Sequence, residues 1–182
     1  ITSPIMLITA FAIKLYDGGP VMFRQKRCTI HGKIFYIHKF RSMIVNAESA
    51  GKVIPTTEHD PRITPIGRFI RKTRIDELPQ MIDILVGNMS VVGPRPERIE
   101  HVERYTKEIP EFSYRLKVKG GLTGYAQIYG KYNTTAYDKL KLDLMYIQNY
   151  SILMDLKLIL MTIKIIFMKE STEGFVDDPF RK

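Results

Sequence analysis

Asp17-Gly18-Gly19-Pro20 opens the stretch that decides the fold. Gly-Gly-Pro is a strong turn signal. Beyond it, Val21-Met22-Phe23-Arg24-Gln25-Lys26-Arg27 and Ile34-Phe35-Tyr36-Ile37-His38-Lys39-Phe40-Arg41-Ser42 read as two strands. Cys28-Thr29-Ile30-His31-Gly32-Lys33 joins them, so the pair predicts a β-hairpin. Alternation along the second strand puts Phe35, Ile37, Lys39 and Arg41 on one face. Two cations then emerge beside apolar side chains, or the strand simply has a solvated face. Most of the remaining patterning is helical, so the expected class is α+β, mainly helical with a small β-hairpin.

Upstream of the turn, Ile1 to Ile13 carry no charge. Crossing ~30 Å of hydrocarbon takes about 20 apolar residues. The run therefore predicts a core helix, an interfacial helix or part of a re-entrant one. Pro4 is expected to hold Ser3 extended and to break a helix running in from upstream. The segment lacks the basic start and small-residue cleavage site of a signal peptide. The chain does not begin with Met, which predicts a fragment or a processed form. At the other end, Ser151 to Lys169 reads as one helix with two apolar faces. Ile152, Leu156, Ile159, Leu160, Ile163, Ile166 and Phe167 form one face, and Met154, Leu158, Met161, Ile165 and Met168 the other. Asp155 and Thr162 lie along one boundary between them, Lys157 and Lys164 along the opposite one. Two such faces predict two apolar neighbours: the core on one side and lipid or a partner on the other, or two layers of a soluble core.

The charge is unevenly placed. Among 182 residues, 28 Lys+Arg face 19 Asp+Glu, a net +9. Before Asp76 there are 13 Lys/Arg and 4 Asp/Glu; from Asp76 onward there are 15 of each. This basic balance points to phosphate, whether in nucleic acid, anionic lipid or nucleotide. The length favours one domain, and 45% hydrophobic with 26% charged residues excludes a disordered or collagen-like chain. A single cysteine, Cys28, excludes internal disulfides and fits a reducing compartment.

Between the ends, Ser42 to Ala50 predicts a short helix and Gly51 to Pro65 an irregular stretch. Ile66 to Arg74 reads as a helix with Arg68, Arg71 and Lys72 on one face, either solvated or facing a counter-anion. Pro79 is tolerated only in a first helical turn, so the next helix is expected to start at Asp76 or Glu77. Both carboxylates would then sit at the positive end of a helix dipole, favouring their ionised forms. They read either as capping residues or as a nucleophile and metal ligand among cations. Gly93-Pro94-Arg95-Pro96-Glu97 presents Arg95 on a stiff backbone suited to phosphate oxygens. Lys119-Gly120-Gly121-Leu122-Thr123-Gly124 reads as a Gly-rich turn whose N–H groups could meet an anion. His31, His38, His59 and His101 have no metal-ligand spacing and read as structural or solvated.

In this order the motifs resemble the bacterial sugar transferases, the monotopic polyprenyl-phosphate phosphoglycosyl transferases. The match is carried by Ser3-Pro4, Gly19-Pro20-Val21, Lys39-Phe40-Arg41-Ser42-Met43, Gly67-Arg68-Phe69-Ile70-Arg71-Lys72-Thr73, Asp76-Glu77-Leu78-Pro79-Gln80, Gly93-Pro94-Arg95-Pro96-Glu97 and Gly121-Leu122-Thr123-Gly124-Tyr125-Ala126-Gln127-Ile128. The tail from Asp143 to Phe175 is similar to the ending of the larger members. The chain departs from the usual pattern at Gly120 (commonly Pro), Tyr125 (commonly Trp) and Lys131 (commonly Arg).

The resemblance implies a membrane-associated monotopic catalytic domain over residues 1–182. Residues 1–15 would be the remainder of a re-entrant helix whose upstream half precedes Ile1, and 151–169 an amphipathic C-terminal helix. The implied reaction moves a sugar 1-phosphate from a UDP-sugar to polyprenyl (undecaprenyl) phosphate at the cytoplasmic face of the bacterial inner membrane, an early step of surface-glycan assembly. In that pattern Asp76 matches the nucleophile that forms a phosphosugar-aspartate intermediate and releases UMP. Glu77 matches its acidic partner, with Asp76 and Glu77 both ligands to Mg2+; Arg71 and Arg95 match arginines near the phosphates, and Arg41 and Lys39 are assigned to phosphate contacts beside them. Expected partners are the UDP-sugar, polyprenyl phosphate and membrane lipid, with no nucleic acid; the two-faced terminal helix permits a homodimer. Two rival classes are a non-catalytic basic module binding membrane surfaces or nucleic acid, and a membrane-associated glycosyltransferase releasing UDP.

Overall fold

The computed structural model describes residues 2–47, 60–130 and 134–166. The expectations at Ala50, at 51–59 including His59, at Lys131, and at Phe167, Met168 and Lys169 lie outside the described residues. The chain divides into two compact units. Among the described residues, one holds 2–23, 39–47 and 60–79; the other holds 24–38, 80–130 and 134–166. The hairpin, β1 (Met22–Cys28) and β2 (Ile34–Phe40), forms as predicted, with its base in the first unit and its far part in the second. Its connection turns through His31 (φ 55) and Gly32 (φ 73) in left-handed geometry.

In the first unit, α1 (Ser3–Asp17) begins one residue earlier than the proline rule suggests. Ser3 is helical, not extended, because Pro4 sits within the first turn, where its missing N–H leaves no bond unmade. α1 ends at Gly18, in left-handed geometry, whose N–H donates to the Lys14 carbonyl. One face of α1 buries Ile13, with Met6 and Ala10 alongside, against Phe40 and Ile70. Each such side chain contributes roughly 1.5–3 kcal/mol. The opposite face leaves Ile5, Leu7, Ile8, Phe11 and Leu15 exposed. No helix among the described residues is long and apolar enough to cross a membrane.

α2 (Pro65–Lys72) starts on Thr64, whose hydroxyl accepts from the Gly67 N–H at 2.9 Å. It docks so closely that a Cβ on Gly67 would lie 1.9 Å from the Ser42 carbonyl oxygen. Gly67→Ala is therefore expected to cost about 1–3 kcal/mol in a urea unfolding series by displacing α2; an unchanged midpoint would show that this approach is not tight. The short helix expected after Ser42 is absent over 42–47. Met43 instead bridges Ile63, and Asn46 takes a positive φ of 65°.

In the second unit, α3 (Gln80–Leu85) leads into β3 (Met89–Val92), which pairs in parallel with β4 (Gly120–Thr123). β4 replaces the Gly-rich turn expected over 119–124, and β3 ends at Val92, within the loop expected over 91–97. The pairing brings backbones into contact: a Cβ on Gly121 would lie 2.1 Å from the Gly93 nitrogen. Two of the amides expected to meet an anion are consumed. Gly121 N–H donates to the Pro94 carbonyl and Gly120 N–H to the Thr29 hydroxyl. α4 (Ile99–Glu108) packs on a 3₁₀ segment (Pro110–Lys117), and α5 (Tyr125–Tyr129) packs on the two helices that follow.

α6 (Ala136–Asn149) and α7 (Ile152–Ile166) complete the unit. Val92, Tyr146 and Leu158 form their core, with Met154 and Ile159 against it. α7 is two-faced, as predicted. Leu158 is buried and Met154 packs beside it, while Ile152, Leu153, Leu156, Leu160, Ile163 and Ile166 are exposed. Its polar line faces inward: Asp155 accepts from the Tyr146 hydroxyl at 2.9 Å, and Thr162 meets Thr123 at 2.6 Å.

Candidate active site

Asp76 sits in a tight 3₁₀ turn, Ile75–Glu77, not in the first turn of an α-helix. α2 stops at Thr73, and Arg74 adopts a left-handed φ of 58° that reverses the chain. A non-glycine residue there carries strain of about 1–3 kcal/mol. Leu78 and Pro79 then intervene before α3 begins at Gln80, so the expected dipole effect on Asp76 and Glu77 is replaced by a different balance. Asp76 is buried, and its Oδ1 has no hydrogen-bond partner. Burial pushes its carboxyl above the ordinary value of 3.8 and Glu77 adds to the rise, while Lys39, Arg71 and Arg74 pull it back.

Glu77 lies beside it, its carboxylate 2.9 Å from the Lys39 ammonium. Of the basic helix, Arg68 and Lys72 are exposed and Arg71 is half-buried, close enough for its charge to act on Asp76. Lys39, Arg71, Asp76 and Glu77 thus belong to one charged neighbourhood of the first unit. Arg41 is committed elsewhere. Buried, it forks onto Asp17 at 2.5 and 2.6 Å and donates to the Pro20 carbonyl at 2.6 Å. The Arg41 hydrogen bonds hold the Asp17 carboxyl at about 2. Phosphate binding, expected of Arg41, would require breaking that fork; its geometry here ties the end of α1 to the base of the hairpin.

An unpartnered buried carboxylate oxygen beside a second carboxylate fits a hard, oxygen-seeking divalent cation. Among the described residues no group of three or more His, Cys, Asp or Glu side chains could hold a metal.

Arg95 belongs to the second unit and is half-exposed. Behind its loop lies a buried charge cluster that the sequence reading missed. Glu97 takes the Lys139 ammonium, with His101 at 3.6 Å and Arg115 at 3.9 Å. Burial alone would raise the Glu97 carboxyl, but the hydrogen bond with His101 and the charges of Lys139 and Arg115 outweigh it and hold it far below the usual carboxylate range. Arg115 in turn pairs with Asp143 at 2.7 Å. A signal was present: Lys139 and Asp143, one turn apart, share the inward side of α6 with Leu140 and Tyr146. Gln80, quoted in the matching motif but given no role there, is fully buried with both side-chain amide atoms unpartnered. His38, read as structural, is held by Asp83 at 2.8 Å through its ring and 2.9 Å through its backbone N–H.

Comparison with known proteins shows the class to which the chain belongs. The bacterial sugar transferase family matches residues 1–169, and the chain belongs to that family. It is 46% identical over 166 residues to a UDP-glucose:undecaprenyl-phosphate glucose-1-phosphate transferase of Klebsiella pneumoniae, covering 88% of this chain and 36% of the relative. To a UDP-N-acetylgalactosamine-undecaprenyl-phosphate N-acetylgalactosaminephosphotransferase of Aeromonas hydrophila it is 44% identical over 167 residues, covering 90% and 39%. An uncharacterized sugar transferase of Bacillus subtilis is 39% identical over 172 residues, covering 94% and 82%. The chain thus spans well under half the length of the first two relatives.

Proposed function

We propose that this chain carries the catalytic module of a polyprenyl-phosphate sugar-1-phosphate transferase that uses a UDP-sugar. The supporting observation is Asp76 itself: a buried carboxylate with an unpartnered oxygen, set in a strained turn beside Glu77, Lys39 and Arg71. Desolvation leaves its charged form poorly stabilised and hence reactive. In the first step an Asp76 oxygen attacks the β-phosphorus of the UDP-sugar. The bond from that phosphorus to the bridging oxygen breaks, and UMP departs. In the second step an oxygen of polyprenyl phosphate attacks the same phosphorus, restoring the carboxylate and yielding polyprenyl diphosphate sugar.

Both substrates bring anionic phosphate towards a carboxylate, so cations must offset the repulsion. Lys39 and Arg71 supply that charge beside the dyad, and Arg95 is assigned to a phosphate contact on the family resemblance. Asp76 and Glu77 would hold Mg2+, which when bound neutralises charge on the transferring phosphoryl group. The names of the relatives differ in their sugar, so the donor is proposed only as a UDP-hexose or UDP-N-acetylhexosamine.

Mixing the protein with Mg2+, polyprenyl phosphate and a panel of UDP-sugars tests the reaction. UMP is expected with one or more donors. Release of UDP would instead identify a glycosyltransferase, and binding of nucleic acid without UMP release a non-catalytic basic module.

The exposed apolar faces of α1 and α7 are proposed to rest in the cytoplasmic leaflet of the inner membrane. In liposome flotation, Ile8→Glu with Phe11→Glu, or Leu156→Glu with Leu160→Glu, should each reduce membrane binding. Undiminished flotation of both variants would remove the membrane reading.

A further inference from the structure

The loop Pro94-Arg95-Pro96-Glu97 contains two residues without an N–H, so it has few donors with which to brace itself. Its carbonyls are braced from outside, one after another. The Pro94 oxygen accepts from the Gly121 N–H at 2.9 Å, and the Glu97 oxygen from the Cys28 N–H at 3.0 Å. Between them, the Arg95 oxygen accepts from Arg115 Nη2 at 3.0 Å, and the Pro96 oxygen from Arg27 Nη1 at 3.2 Å. The Glu97 side chain is held as well, by Lys139. The backbone that carries Arg95 is therefore fixed at four consecutive carbonyls.

Of these donors, Arg115 stands out because its own position is over-determined. It is 3% exposed, its Nε and Nη2 fork onto Asp143 at 2.8 and 2.7 Å, and its guanidinium lies 4.8 Å over the Phe112 ring. A lysine ammonium has one nitrogen in place of this planar array, so it does not reproduce the Asp143 and Arg95 contacts in the same geometry. From this geometry we infer that Arg115 is a positioning residue: anchored by Asp143, it sets the backbone of Arg95 and so the direction in which that guanidinium meets a phosphate. The inference rests on the reading of Arg95 as a phosphate contact. A small displacement of such a group is enough to cost about 10- to 100-fold in rate.

The test compares wild type, Arg115→Lys, Arg95→Ala and the double variant in the full chain, with two readouts. In hydrogen exchange, Arg115→Lys should speed the Cys28 and Gly121 amides, whose acceptors are the outer carbonyls of the loop, about tenfold, leaving the centre of α6 unchanged. In UMP release, Arg115→Lys should lose about 10- to 100-fold in kcat, and it should lose little further when Arg95 is already Ala. Asp143→Asn, which keeps the side-chain shape, should show the same dependence on Arg95 and serves if Arg115→Lys does not fold. Unchanged exchange at Cys28 and Gly121, or losses that simply multiply in the double variant, would overturn the inference. If wild type releases no UMP, the proposed reaction fails, and exchange alone decides whether Arg115 holds the loop.

Discussion

Asp76→Asn is expected to lower UMP release by at least about 10³-fold and, at neutral pH, to make the protein more stable than wild type. The first effect follows from removing the proposed nucleophile, since a carboxamide does not form the phosphosugar ester. The second follows from the direction of the Asp76 shift. Burial and Glu77 raise its carboxyl above 3.8, so the folded state holds the proton more tightly than the unfolded chain does. Stability then falls as pH rises through the interval between the two values, and the whole penalty is present at pH 7. Asn carries no charge, so the gain should be full at neutral pH and vanish below about pH 3.8. Thermal melts at pH 7 and pH 3 measure it. A variant equally stable at both pH values relative to wild type would contradict the burial argument, and near-normal UMP release would contradict the nucleophile. A gain in stability on loss of a reactive group is the usual trade-off at catalytic sites.

Asp143→Ala should destabilise the protein by about 3–5 kcal/mol. The reason is not that the Arg115–Asp143 pair is a large net gain. Burial pushes the Asp143 carboxyl up even with Arg115 against it, so the attraction to Arg115 does not fully offset the desolvation of the carboxylate. The cost comes from stranding Arg115, which is 3% exposed and cannot reach water. Urea unfolding should show a lower midpoint at unchanged slope. Replacing both partners, Arg115→Met with Asp143→Leu, should recover much of the loss, because no buried charge is then left alone. A double variant no better than Asp143→Ala would mean that packing, not charge, is what Asp143 supplies.

Several elements were legible because their causes are local. The hairpin follows from a Gly-Gly-Pro turn and two β-rich runs. The two faces of α7 follow from residue spacing, and the structure divides them as the spacing predicts, with Leu158 inward and Leu156 and Leu160 outward. α2 formed over Pro65–Lys72, close to the expected 66–74, because Thr64 caps it and its periodicity is unambiguous. The parallel pairing of β3 with β4 was not legible. Four-residue strands carrying Gly120 and Gly121 look like loop until a partner strand approaches. Nor was the commitment of Arg41 to Asp17, since both read equally well as solvated charges.

The proposed site divides along the same line. The candidate dyad, Asp76-Glu77, and its surrounding surplus of cations can be read from the sequence, because residue identity and order along the chain suffice. The environment of that dyad cannot. A helix-dipole argument makes Asp76 readily ionised, yet Arg74 reverses the chain, the helix starts later at Gln80, and burial raises the carboxyl instead. Arg115 and Asp143, 28 residues apart, gain their meaning only when folding brings them together behind Arg95. By itself the sequence determined the candidate chemical groups and the local elements that carry them. Tertiary structure decided which charges are exposed to water and which are buried, because desolvation and pairing depend on neighbours that are distant along the chain.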